Sequence, residues 1–213
     1  MMIILNAILV LVILINLFAL GTSRMKALIH AAAFQGVLLG FLPPLVVKDV
    51  GTVPLLMAVM TIVLKGIVIP NMLLKALRDA QVKREVEPLI GFMPSILLGA
   101  VATAVALALA GHLAPAHSPL GLLVIPTSIS MLCTGFLLLT TRVKAVTQVI
   151  GFLLLENGIF VFGLLLLSAI PYLVELGVLL DLFVGIFVIS IIIHHINRAF
   201  ASQDTRRLSS LKG

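Results

Sequence analysis

The 213-residue chain has no tryptophan, one tyrosine, one cysteine and only eight acidic residues. Each scarcity excludes something. A lone cysteine, Cys133, can form neither an intrachain disulfide nor a cysteine-based metal centre; set in an apolar segment, it reads as a small core residue. There are no P-loop, dinucleotide-fold or H-E-x-x-H motifs and no cysteine cluster. Nucleotide, flavin, haem and iron–sulfur chemistry are therefore not expected, and neither is a bound cofactor or metal. The first 20 residues lack a basic n-region, because Arg24 and Lys26 follow the apolar run. That run reads as a spanning helix, not a cleaved signal.

What is abundant is hydrocarbon. The chain is 62% hydrophobic and 10% charged, with a mean hydropathy of +1.30, whereas soluble domains are about half apolar and about a quarter charged. The apolar residues come in blocks of roughly 20, the length a membrane-crossing helix needs, and not in the ~10-residue alternating segments of an outer-membrane barrel. The expected fold is all-α: a polytopic bundle of seven spans near 2–21, 27–47, 53–74, 90–111, 120–140, 146–170 and 172–196. Pro43-Pro44, Pro70 and Pro126 are expected to interrupt or end their helices, and the small-residue run GAVATAVALALAG suggests close packing of the fourth span.

The net charge of +6 could point to nucleic acid, but its placement points to topology. Alternate loops and the tail carry 12 of the 14 basic residues, among them Arg24, Lys26, Arg142 and Lys144; the other loops carry only Lys48, beside Asp49. By the positive-inside rule the N-terminus faces out and the C-terminus faces the cytoplasm. A multi-pass protein of a bacterial or archaeal cytoplasmic membrane is expected, with no nucleic-acid partner and a basic tail that can touch anionic lipid or a cytoplasmic protein.

Four regions follow: an N-terminal three-helix half (1–89), a connector helix and outer loop (90–119), a C-terminal three-helix module (120–197) and a basic tail (198–213). At a constant offset of 118, Thr22/Thr140, Arg24/Arg142, Lys26/Lys144, Ala27/Ala145 and Gly40/Gly158 coincide. Spans 1–3 and 5–7 thus read as direct repeats. Only the second copy has membrane carboxylates, because the same offset pairs Glu156 with Leu38 and Asp181 with Val63.

Lys65, Glu156 and Asp181 fall deep within spans 3, 6 and 7, each about 15 to 18 Å from a boundary. A charge at that depth costs at least ~2.5 kcal/mol, so each must face the interior, pair or become neutral. One reading is a Lys–carboxylate pair that only fixes packing. That pairing leaves a second carboxyl over, and an unpaired buried carboxyl exchanges protons near neutral pH, which is what a proton relay needs. The relay reading is preferred. Asn157 can orient a water beside Glu156, and Gly158 can admit a neighbouring helix. His30, Gln35, Gln148, His194 and His195 could extend a polar path to the cytoplasm. Metal binding by the His pair is not expected, since adjacent helical residues diverge by about 100° and no further ligand has suitable spacing.

The segments FLLLENGIF and LLDLFVGIFVISIIIHHINR resemble the small three-helix subunit of respiratory complex I and of multi-subunit cation/proton antiporters. Glu156 with Asn157, then Asp181, Gly185, His194, His195 and Arg198, match that pattern; the second carboxylate departs from it, being Asp instead of Glu. Extended by its first half, the chain resembles component E of hydrogenase-4, a membrane subunit of group 4 hydrogenase and formate hydrogenlyase-type complexes. Lys65 lies in the half that the three-helix relatives lack. The resemblance implies a non-redox subunit, not catalytic alone, of a proton-translocating oxidoreductase complex. Its neighbours would be antiporter-like and other membrane subunits, with Glu156, Asp181 and Lys65 on the ion path. A stand-alone secondary transporter and a purely structural assembly subunit are the alternatives. A retinal-type receptor fails because the mid-membrane lysine is in span 3 and the aromatics for a chromophore pocket are missing.

Overall fold

A computed structural model describes residues 2–46, 52–79, 88–113 and 123–165. Those residues are all-helical, and six helical stretches are long and apolar enough to cross a membrane. The chain is a multi-pass membrane bundle. The expected seventh span, 172–196, lies outside the described residues.

The first span is α1 (Met2–Gly21), apolar on every side. Its inner face is Leu5, Leu9, Val12, Ile15, Asn16, Ala19 and Leu20, while Ile3, Ile4, Leu11, Leu14 and Phe18 face outward. A helix apolar all round suits lipid outside and packing inside, because lipid tails make no demand for a polar face. The second span is α2 (Met25–Gly40) continued after Phe41 by the short α3 (Leu42–Val46). Pro43 and Pro44 fall in the first turn of α3, where backbone N–H groups have no intrahelical partner to lose.

The third span joins α4 (Thr52–Val63), a π-helical turn (Leu64–Val68) and α5 (Ile69–Asp79). Pro70 interrupts the α geometry, as expected, without ending the span. Proline offers no N–H to the carbonyl four residues back, and its ring crowds that carbonyl. The turn before it widens instead: the Ile69 amide reaches the Leu64 carbonyl, five residues back.

Then come α6 (Phe92–Leu113), α7 (Val124–Thr141) and α8 (Ala145–Gly163). The small residues of α6 form one stripe: Ser95, Gly99, Thr103, Ala106 and Ala110 are buried while Leu97, Leu98, Val101 and Val105 are exposed. Close packing is thus confined to that stripe, and α6 is the least enclosed of the six spans. Pro126 sits in the first turn of α7 and interrupts nothing.

Helices α7 and α8 approach until their backbones touch. A Cβ on Gly135 would stand 2.5 Å from the Leu155 nitrogen and 2.6 Å from the Gly151 oxygen; one on Gly158 would stand 2.9 Å from the Leu132 nitrogen. On the other side of the bundle, Gly36 and Gly40 of α2 form a G-x-x-x-G seam against the third span, with a Cβ on Gly36 meeting Lys65 Cβ at 2.6 Å.

Two apolar clusters fill the interior. One comprises Leu20, Met25, Ile29, Leu73, Leu138, Ile150 and their neighbours. The other comprises Leu9, Val12, Leu39, Val124, Met131 and Val161. Along α1, α2 and α8 the residues between the two clusters include Asn16, Gln35, Glu156 and Asn157, all buried. A polar layer therefore lies across the bundle with hydrocarbon on both sides.

Candidate functional site

The polar layer is centred on Lys65, which the π turn and the Gly36 seam press inward. Lys65, Glu156 and Asn157 are only 5%, 2% and 2% exposed. The Lys65 ammonium donates to Glu156 Oε1 at 3.0 Å and to Asn157 Oδ1 at 2.8 Å, and lies 5.8 Å from the Phe160 ring centroid. Either charge alone at this depth would be expensive; together, with an amide oxygen completing the donor's geometry, they form a tolerable neutral group.

A second polar chain crosses four helices. Gln35 Nε2 of α2 donates to Asn16 Oδ1 of α1 at 2.9 Å, and Asn16 Nδ2 donates to Ser130 Oγ of α7 at 3.4 Å. Ser130 and Thr103 of α6 share a bond of 2.8 Å, and Thr103 donates to the Gly99 carbonyl at 2.8 Å. With Thr103 donating to Gly99, Ser130 is the donor to Thr103, so the chain runs in one direction from Gln35 to α6. Gln35 Oε1 and Thr127 Oγ1 are buried without a hydrogen-bond partner among the described residues.

The expected site residues separate into groups. Lys65, Glu156 and Asn157 come together, and Gln35 joins the neighbouring chain. Gln148 instead donates to the Arg142 carbonyl at 3.0 Å, beside the first turn of α8, and His30 is exposed on α2. Asp181, His194 and His195 lie outside the described residues. No group of three or more His, Cys, Asp or Glu side chains that could hold a metal occurs among the described residues.

Two features escape sequence reasoning. Asn16 carries the same signal as Glu156, a polar residue within a continuous apolar run, but a neutral amide draws less notice than a charge. Arg142 reads as a loop cation, yet it is 2% exposed. Its guanidinium donates to the Leu20 carbonyl at 2.8 Å and the Ile90 carbonyl at 3.2 Å, and lies 4.5 Å from the Phe92 ring centroid. Leu20 is in the last turn of α1, where carbonyls lack intrahelical partners and a cation is favoured. Arg142 thus ties the end of α1 to the start of α6 and the α7/α8 turn. At the offset of 118 its counterpart Arg24 is exposed.

No protein-family model and no solved structure matches this chain. It is similar to the uncharacterized protein Rv0085 of Mycobacterium tuberculosis, at 28% identity over 190 residues that cover 88% of this chain and 86% of that protein.

Proposed function

We propose that the chain is a non-redox membrane subunit of an ion-pumping redox complex of the hydrogenase-4 component E type, in which Lys65 and Glu156, with Asp181, form part of a proton or sodium path. It has seven spans with the N-terminus outside and the C-terminus in the cytoplasm, in a bacterial or archaeal cytoplasmic membrane. Antiporter-like and other membrane subunits are its neighbours. The observation that supports this reading is the Lys65–Glu156–Asn157 cluster, buried between two apolar clusters at a π turn. Ionisable groups at such depth are costly to keep and mark ion or proton pathways, and π turns recur at functional sites.

The direct repeat belongs to the same reading. Gly40 and Gly158 each sit where a neighbouring helix's carbonyl, of Ala58 or Ser128, comes within 3.3 or 3.0 Å of where a Cβ would stand. The repeat is asymmetric, because the charges that meet come from one copy each.

The hydrogen bonding of the pair to Asn157 also suits a second reading, a structural lock that holds the third span against α8. One experiment separates the two. Glu156→Gln, Lys65→Met and Asp181→Asn are introduced singly in the native organism, the complex is extracted in mild detergent and identified by native mass analysis, and ion movement per electron is measured in vesicles. The coupling reading expects assembled complexes with reduced ion movement. Undiminished movement per electron in all three, with only the yield lowered, establishes the lock. Recovery of the chain alone with transport activity of its own would instead make it an independent transporter.

A further inference from the structure

We infer that Lys65 makes the Lys65–Glu156 pair a proton site and bars sodium from it, its ammonium being a tethered cation seated where a free one would bind. The inference rests on the coupling reading, which leaves proton and sodium open, and names the ion. The ammonium takes a carboxylate oxygen of Glu156 at 3.0 Å and the amide oxygen of Asn157 at 2.8 Å. Oxygens of these two kinds are what a hard cation seeks. They come from consecutive residues of α8 and converge on one point, and Lys65 fills it.

Charge and space both count against a second cation. Apart from Glu156, the only acidic residue among the described ones is Asp79, the last residue of α5. The one carboxylate deep in the described spans is thus already matched by a cation that cannot diffuse away. Beside the pair lies a cavity of about 10 Å³, lined by Lys65 and Asn157 and otherwise by apolar side chains such as Ile29, Ala33, Ile69 and Leu153. That is about the room of one water. A sodium ion there would meet the amide of Asn157 and little other oxygen among the described residues, in a medium that screens its repulsion from the ammonium poorly.

A proton needs no oxygen shell. Passing along the 3.0 Å bond from Lys65 Nζ to Glu156 Oε1, it breaks an N–H bond and forms an O–H bond, leaving a neutral amine beside a neutral acid. The net charge of the pair is the same before and after, whereas sodium added to the intact pair would leave one positive charge unmatched at this depth. The same geometry predicts what truncation does. Lys65→Ala keeps the Cβ that packs on Gly36 and removes the tether, so the Glu156 carboxylate and the Asn157 oxygen face an empty seat that a small free cation can take.

The test measures thermal unfolding of the full-length chain, extracted in mild detergent with whatever proteins accompany it, in choline, sodium or methylammonium chloride at one pH and ionic strength. Methylammonium has the head of the lysine side chain without its tether. What is read is the part of each cation's effect that Glu156→Gln, introduced into the same background, abolishes. In the unaltered chain sodium is expected to shift the midpoint by less than roughly 1 °C relative to choline; in Lys65→Ala, sodium or methylammonium is expected to raise it by roughly 3 °C or more. A larger Glu156-dependent sodium shift in the unaltered chain overturns the inference, as does a Lys65→Ala chain that responds to neither cation. Should Lys65→Ala not assemble, Lys65→Ser opens the same seat, and the comparison in the unaltered chain needs neither variant. Because the readout is cation binding and not pumping, a Glu156-dependent sodium shift alongside impaired ion movement in Glu156→Gln would sink this inference and leave the coupling reading standing, with sodium as its ion.

Discussion

Lys65 holds two successive residues of α8 with one ammonium, 3.0 Å from Glu156 Oε1 and 2.8 Å from Asn157 Oδ1. Neighbouring positions on a helix diverge by about 100°, so a group bonded to both must enter between them. A shift of the third span by one residue along α8 would lose both bonds. Removing one partner of such a buried pair costs about 3–5 kcal/mol, whereas replacing both with apolar groups is often neutral. Lys65→Met and Glu156→Leu are therefore each expected to lower the unfolding temperature in detergent, and the double variant to recover most of the loss. Additive losses in the double variant would show that the two side chains do not act as a pair.

Pro70 as the cause of the π turn is open to test. Pro70→Ala restores an N–H and removes the ring that crowds the Gly66 carbonyl, so the turn can rewind to α geometry and rotate Lys65 relative to α8. The energetic coupling between Lys65 and Glu156, measured by a double-mutant cycle, is expected to fall by more than half in the Pro70→Ala background. Unchanged coupling would place the origin of the π turn elsewhere.

The glycine seam between α7 and α8 has no room for a methyl group. At Gly135 the nearest atoms to an added Cβ are backbone atoms of α8, which cannot swing aside as a side chain can. Gly135→Ala is expected to separate the helices and lower folded yield severalfold by size-exclusion chromatography. Gly163→Ala, with nothing among the described residues within 4 Å of its Cβ, should leave yield unchanged.

Arg142 and Arg24 coincide at the offset of 118 but occupy opposite environments, so truncation should separate them. Arg142→Ala leaves the buried Leu20 carbonyl without its arginine donor, at about 1–3 kcal/mol, while the half-buried Ile90 carbonyl keeps a contact with Ser95 Oγ at 3.5 Å. Arg142→Lys is expected to rescue only part of this, since one ammonium cannot both bridge the two carbonyls and stack on Phe92. Arg24→Ala should lie within about 0.5 kcal/mol of the unaltered chain, as exposed substitutions do. Thermal unfolding in detergent reads all three.

Much of the bundle is readable from the sequence for a simple reason: a hydrocarbon solvent punishes charge, so spans and buried ions stand out against it. Six of the expected helices occur near their expected ranges, and depth alone marks Lys65 and Glu156 as interior residues. That they meet each other is one of several pairings open to them, because hydropathy contains no register. The uniformly apolar α1 shows the difficulty, since nothing in its period distinguishes Leu9, fully buried, from Leu14, exposed. Pro70 is visible in the sequence, but whether a proline kinks, ends or widens a helix depends on the packing around it. Arg142 is visible too, and its burial depends on two carbonyls from segments far away in the chain.

The Lys65–Glu156 contact also bears on how the chain meets the membrane voltage. A charge moved across the membrane gains or loses about 2.3 kcal/mol per 100 mV, but a paired cation and anion at one depth experience nearly cancelling forces. While the 3.0 Å contact holds, the field has little net charge to act on. Only a step that separates the pair, or that adds or removes a proton, gives the field a charge to pull.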